Sequence, residues 1–282
     1  MSNPQLNDVA QTLFDMDVHA EYQSRGFLLK NTTQYRSNFT GKSVQFRKMG
    51  SVIAVPTAYQ GTVNLQDPDY TPHTATVTKY VAAIGVDEVE QYQVNFDVRA
   101  QDARLTAMAM GRRSDQVLID TMNLASPNHS ISAGGANFDY SKFRELMQYF
   151  DEQAVPPEDR FIALSANNKR ALFADDRFIN SRYTDYYSFM SGQMDDYKYL
   201  GFRMIVIPNM AEGGLPLSGN TRTCMAWHRD AFGMAVSYVG ARIDWIGQNL
   251  TWQVAGIIAA GATEIDSLGF VKVLCDESVN PV

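Results

Sequence analysis

This 282-residue chain has little of what most function classes require. Cysteine is scarce: Cys224 and Cys275 lack metal-ligand spacing and read as two buried thiols in a reducing compartment. The four histidines, His19, His73, His129 and His228, share no zinc-type spacing with one another or with a cysteine. No serine has glycines two residues to either side, so a nucleophile elbow is excluded. Gly41-Lys42-Ser43 ends like a phosphate-binding loop, but Arg36 stands where that motif needs glycine. Positive charge is not in excess. The formal net charge of -7 argues against strong general affinity for nucleic acid or acidic membranes. The longest apolar run, Val254 to Ala262, contains two glycines and is too short to cross a bilayer. Ser2-Asn3-Pro4-Gln5 lacks the basic-then-apolar character of a secretory leader, so the Asn-X-Ser/Thr matches read as chance and the chain as cytosolic where it is made. The residues advertise no enzyme chemistry, and no cofactor or metal is expected. Asp67 and Asp69 lack the glycine and glutamate of a calcium loop and read as a solvated turn. His228, beside Arg229 and Asp230, reads as a helix-cap or salt-link group.

What the chain does have is a stretch, Gly41 to Val86, of two β-rich arms joined by a long tip. The first arm is Ser43–Arg47 and the second Thr74–Val81, both alternating and rich in β-branched or aromatic residues. Pro56, Gly61, Asp67-Pro68-Asp69 and Pro72 oppose regular structure between them. A two-stranded ribbon alone is marginal in water, so this one is expected to find its burial on another molecule. Arg47, Lys48, Tyr59, Asp67, Asp69 and Tyr70 are the candidate subunit-interface residues of this segment.

The rest is mixed. Residues 1 to 38 read either as an arm that docks elsewhere, with an amphipathic patch at Leu13, Phe14 and Val18, or as a frayed terminus. A helix is predicted from Asn95 to Asn123, capped by Asn95 or Asp97. Its expected inner face is Leu105, Met108, Ile119 and Met122, with Arg99, Thr106 and Arg113 opposite. Arg112 and Asp115 interrupt the apolar seam beside Gly111, which makes Gly111 the candidate bending point. Arg99, Arg104, Arg112 and Arg113 form a basic stripe interleaved with Asp102 and Asp115, either ion-paired or facing an enclosed polyanion.

Ser126 to Asn137 reads as a flexible loop. A helix through Phe143, Leu146, Met147 and Phe150 follows, then a buried strand Phe161–Leu164 with Ser165 capping the next helix. Tyr183, Tyr186, Tyr187, Tyr197 and Tyr199 fit a subunit contact as well as a core fragment, and Tyr186 and Tyr187 join the interface candidates. Strands are predicted at Phe202–Ile207, around Ala241–Trp245 and Leu250–Val254 with a turn at Gly247-Gln248-Asn249, and at Phe270–Leu274. The fold class is α+β.

The order of parts resembles the major capsid proteins of tailed bacteriophages with the HK97-type fold. The runs that carry the resemblance are the Gly41–Val86 hairpin, the Asp97–Asn123 helix, Pro157–Lys169, Gly201–Asn209 and Trp227–Ala235. It implies an N-terminal arm (1–38), an extended loop (39–84), a peripheral domain with a spine helix (85–138), and an axial domain (139–235). A peripheral β return (236–268) and a C-terminal axial strand (269–282) complete it. The implied function is a self-assembling icosahedral shell of hexamers and pentamers around double-stranded DNA, which expands as DNA is packaged. The implied partners are other copies, a separate scaffolding protein (no long N-terminal extension being present), a portal, a possible decoration protein and weakly held DNA, with no membrane. The implied location is the virion, after assembly in the host cytoplasm. An encapsulin-like compartment of the same fold is the alternative, and a soluble enzyme a distant third.

Overall fold

A computed structural model describes residues 26–37, 39–63, 65–89, 98–174 and 198–279. The first strands are β1 (Gln34–Ser37), β2 (Ser43–Met49), β3 (Tyr70–Thr76) and β4 (Thr78–Asp87). Helix α1 (Val98–Leu124), strand β5 (His129–Ile131), helix α2 (Tyr140–Glu152), strand β6 (Arg160–Ser165) and helix α3 (Ala166–Phe173) follow. Then come β7 (Lys198–Tyr199), β8 (Phe202–Ile207), β9 (Leu217–Ser218), β10 (Thr221–His228), β11 (Phe232–Ile246), β12 (Thr251–Glu264) and β13 (Phe270–Asp276).

The larger sheet grows around β6, whose apolar run is buried along its whole length, as a central strand requires. Its order is β5-β13-β10-β6-β8-β7, with β9 on the end of β10. Asp139 caps α2 by accepting from the Lys142 amide, and Ser165 caps α3 by accepting from the Asn168 amide. Phe143, Leu146 and Phe150 of α2 are buried as their spacing predicts. Phe143 and Phe150 meet Phe202 edge-on at 5.6 and 5.1 Å between ring centroids. The predicted loop at Ser126–Asn137 is more ordered than its glycines suggest. It contains β5, which pairs in parallel with β13. The buried Lys142 ammonium donates to the carbonyls of Ala133, Ala136 and Leu274 at 2.8–2.9 Å and holds the loop against the sheet. A lysine seven residues past a glycine pair gives no local sign of this, because its partners are backbone carbonyls.

The second sheet, β1-β11-β12-β4, carries α1 across one face. Of the expected inner face of α1, Ile119 and Met122 are buried in the main core, but against this sheet the expected side is reversed. Thr106 and Met110 are buried, while Leu105 and Met108 are half-buried. Gly256 of β12 explains the inversion, since a Cβ there would lie 3.1–3.2 Å from Met110 and Thr106. The helix therefore sits close, and Thr106 tolerates burial by donating its hydroxyl to the Ala103 carbonyl. Arg113 and Arg99 lie over the rings of Tyr80 and Trp252, at 4.3 and 5.3 Å. Planar guanidinium groups can serve as packing residues in this way.

The predicted second ribbon arm, Thr74–Val81, is divided between two sheets. Only β3 pairs with β2, in register from Ser43↔Thr76 to Met49↔Tyr70. At Val77, whose amide donates to the Lys42 carbonyl, the chain changes partner, and β4 runs beside β12. Pro72 is inside β3, opposite Arg47. A proline is tolerated there because both strands of a two-stranded ribbon are edges.

Candidate assembly surfaces

The ribbon has two physically different ends. Its root is packed on the body of its own chain. Phe46, 1 % exposed, shares a small core with Ala75, Ala235 and Ile265. A Cβ on Gly233 would be 2.7 Å from the Phe46 ring, so glycine is required for that fit. Burying one such phenyl ring contributes roughly 1.5–3 kcal/mol. Lys48 adds an ion pair to Asp266 at 2.7 Å, and a pair this accessible contributes about 0.2–1 kcal/mol. The expectation that the whole ribbon awaits another molecule is therefore too broad.

Beyond Gly50, whose amide donates to the Asp69 carbonyl, no strand forms among the described residues until β3. Here apolar side chains face solvent, with Ile53 75 % and Leu65 94 % exposed, beside Val52, Val55, Tyr59 and Val63. A side-chain tie spans the tip. The Gln66 side-chain amide accepts from the Ile53 N–H at 3.1 Å and donates to the Ile53 carbonyl at 2.9 Å. Arg47, Tyr59, Asp67, Asp69 and Tyr70 are all exposed, whereas Lys48 is engaged by Asp266. Tyr186 and Tyr187 lie outside the described residues, as do Leu13, Phe14, Val18, Asn95 and Asp97. Tyr199 is buried in β7 against Phe143, so it belongs to the core.

The middle of α1 is a junction. Asp115, which looks from sequence like a break in the seam, is buried and accepts from the Leu28 and Leu29 amides at 3.0 and 3.1 Å. Burial pushes its carboxyl up to about 6, against the downward pull of those two hydrogen bonds. One turn earlier, Gly26 adopts φ +70°, and a Cβ there would lie 2.0 Å from the Gly111 carbonyl carbon. The Phe27 amide donates to the Gly111 carbonyl. Gly111 is thus the seat of a crossing chain. Further along α1, Gln116 accepts from the Gly213 amide at 2.7 Å. The incoming segment is fixed again where the Trp227 indole donates to the Thr32 carbonyl at 2.9 Å.

A second buried cluster closes the C-terminus. Arg222 holds Glu277 through two hydrogen bonds of 3.0 and 3.1 Å and also donates to the carbonyl of Leu215. Burial pushes the Glu277 carboxyl up, but the bonds from Arg222 and Ser165 outweigh it and leave the group below its ordinary range. Cys224 and Cys275 are free, fully buried thiols, and burial raises the Cys224 thiol well above its usual value. His228 caps a short turn by accepting from the Asp230 amide. Among the described residues no group of histidine, cysteine and carboxylate side chains forms a metal site, and no helix is long and apolar enough to cross a membrane. The chemistry on display is adhesive: exposed apolar groups on a rigidly rooted projection.

Comparison with known proteins gives the same direction. The sequence model described as phage capsid protein matches residues 6–277. No curated protein matches in sequence. Among solved structures, the capsid of cyanophage P-SCSP1u is similar with a TM-score of 0.72 at 14 % identity, covering 93 % of this chain and 91 % of that one. The head of Helicobacter pylori bacteriophage KHP40 also gives 0.72, at 10 % identity, covering 94 % and 95 %. A chain from Mycobacterium phage Che8 gives 0.69 at 13 %, covering 92 % and 95 %. Likeness at such low identity establishes the fold, which is the HK97-type fold that the sequence resembles. With nearly its whole length matched by the family, the chain belongs to the phage capsid proteins and is a structural major capsid protein of a phage shell, part of the virion.

Proposed function

We propose that this chain assembles into an icosahedral shell of hexamers and pentamers around double-stranded DNA, and that its exposed tip is the part each copy lends to its neighbour. The observation that carries this reading is the contrast within the ribbon. The root is sealed by Phe46, while the tip keeps Ile53 and Leu65 in solvent at the end of an anchored lever. Exposed apolar surface of that kind marks an interaction site. The seven-stranded sheet is the axial domain, the four-stranded sheet with α1 the peripheral domain, and the extended loop is taken to end at Val77, where β4 enters the peripheral sheet. Arg47, Tyr59, Asp67, Asp69 and Tyr70 contact neighbouring copies in this reading.

The same reading includes a separate scaffolding protein, a portal, a decoration protein and weakly held DNA as partners, with assembly in the host cytoplasm. The chain catalyses no reaction in it. Bending of α1 at Gly111 during shell expansion belongs to it too, and residues 26–27 would have to move with the helix because they are seated on that backbone.

The test replaces residues 51–68 with a short turn, leaving β2 and β3 intact. The expected product is a folded subunit that forms no shells by electron microscopy. Normal shells from that variant would remove the loop assignment. Nuclease-protected DNA inside wild-type particles separates the viral shell from an enzyme-housing compartment of the same fold.

A further inference from the structure

The ribbon crosses the body at a fixed point. β3 passes β12 so closely at Thr76 that a Cβ on Gly261 would be 2.1 Å from the Thr76 carbonyl oxygen. Three residues outward along each strand stand His73 and Glu264, and both line a cavity of about 480 Å³ under the ribbon root. Glu264 is poorly served there. Its Oε1 is buried and accepts no hydrogen bond among the described residues. A buried carboxylate oxygen in that state is costly. Desolvation raises the Glu264 carboxyl above its ordinary value, opposed by His73, Lys272 and Lys48 and assisted by Asp266.

The two lysines are committed elsewhere. Lys48 donates to Asp266 at 2.7 Å, and Lys272 donates to the carbonyls of Asn123 and Ala125 at 2.8 and 2.6 Å. Tyr149 of α2 lies near Asp266, and its hydroxyl, raised by burial and by that carboxylate, brings no positive charge. Of the cations that act on Glu264, His73 is therefore the one left to answer it. It is half-buried in β3, opposite Phe46. Histidine is the side chain whose charge changes between about pH 5 and 8.

We propose that His73 and Glu264 form a proton-gated tie between ribbon and body: the charged imidazole draws the ribbon root onto the four-stranded sheet, and the neutral one leaves it slack. Phe46 and the Lys48–Asp266 pair hold the root at every pH near neutrality, and this contact adjusts how firmly. Formed below the imidazole range, the tie is lost as pH rises through it. It is lost again at the acid end, where the Glu264 carboxyl, raised by burial, takes up a proton. The inference goes beyond the shell reading, because the tie belongs to the free subunit whatever that subunit builds.

The test is hydrogen–deuterium exchange on the free subunit, expressed as protection factors so that the intrinsic effect of pH is removed. Amides of residues 44–46 and 73–75, in the β2–β3 ladder, report the root. Their protection relative to β6 should be about fivefold higher at about pH 5.5 than at about pH 8. Glu264→Gln and His73→Gln should each abolish that difference, whereas Lys48→Met should keep it. Equal protection at both pH values, or greater protection at the higher one, overturns the tie. A difference that survives in either variant, or disappears in Lys48→Met, overturns it too. His73→Gln, at a half-buried site, decides the matter alone where Glu264→Gln does not fold. No particle is needed, so the outcome is separate from that of the shell reading.

Discussion

The body around the seven-stranded sheet and the projecting ribbon solve opposite problems with similar residues. In the body, Trp227, Phe143 and Phe202 are fully buried, and cations such as Lys142 and Arg222 are saturated with carbonyl or carboxylate partners. In the ribbon tip, Leu65, Ile53 and Tyr59 are apolar to the same degree and touch almost nothing. The difference shows that hydrophobicity alone does not tell core from interface. What separates them is whether the chain brings back an element to cover the side chain. The ribbon returns only at its root, through Phe46.

That contrast is sharpest under truncation. Trp227→Ala should cost about 3–5 kcal/mol of subunit stability by urea denaturation, because it empties the core and frees the Thr32 carbonyl. Leu65→Ala should change subunit stability by no more than about 0.5 kcal/mol while reducing particle yield. If Leu65→Ala destabilises the subunit like a core substitution, the tip is packed on its own chain.

The junction on α1 comes next in size. Gly26→Ala should cost about 2 kcal/mol, since its φ is positive and the Gly111 backbone fills the space a methyl would need. Asp115 predicts a pH dependence of known sign. Its carboxyl titrates at about 6 when folded and at about 3.9 unfolded, so between these values the folded state binds more protons. The contribution of Asp115 should therefore be largest below about pH 4 and fall as pH rises to about 6, by roughly 3 kcal/mol at most. Asp115→Asn should remove that slope in urea titrations from pH 4 to 7. A variant that keeps the wild-type slope would assign it to another group. The smallest expected effect is at the ribbon root. Lys48→Met should cost about 0.5 kcal/mol, vanishing at high salt.

Much of this architecture was legible where one element decides its own structure. The apolar run Phe161–Leu164, the Ser165 cap and the Phe143–Phe150 spacing all depend on local pattern, and each formed as read. Legibility failed where a distant residue decides. Thr106 is buried because Gly256, far along the chain, leaves room for it. Asp115 interrupts the seam of α1 because it serves the amides of Leu28 and Leu29. Phe46 looks like any outward residue of an alternating strand until Gly233 is seen beneath it. The candidate interface was found at the tip because proline, glycine and exposed apolar residues coincide there.

The central statement is that part of each subunit is finished only by its neighbours. Hydrogen–deuterium exchange on free subunits and on assembled particles tests it most directly. Amides of residues 51–68 should exchange at once in the free subunit and become protected in particles, while β6 and β10 stay protected in both. Tip amides already slow in the free subunit, or equally fast after assembly, would contradict the account.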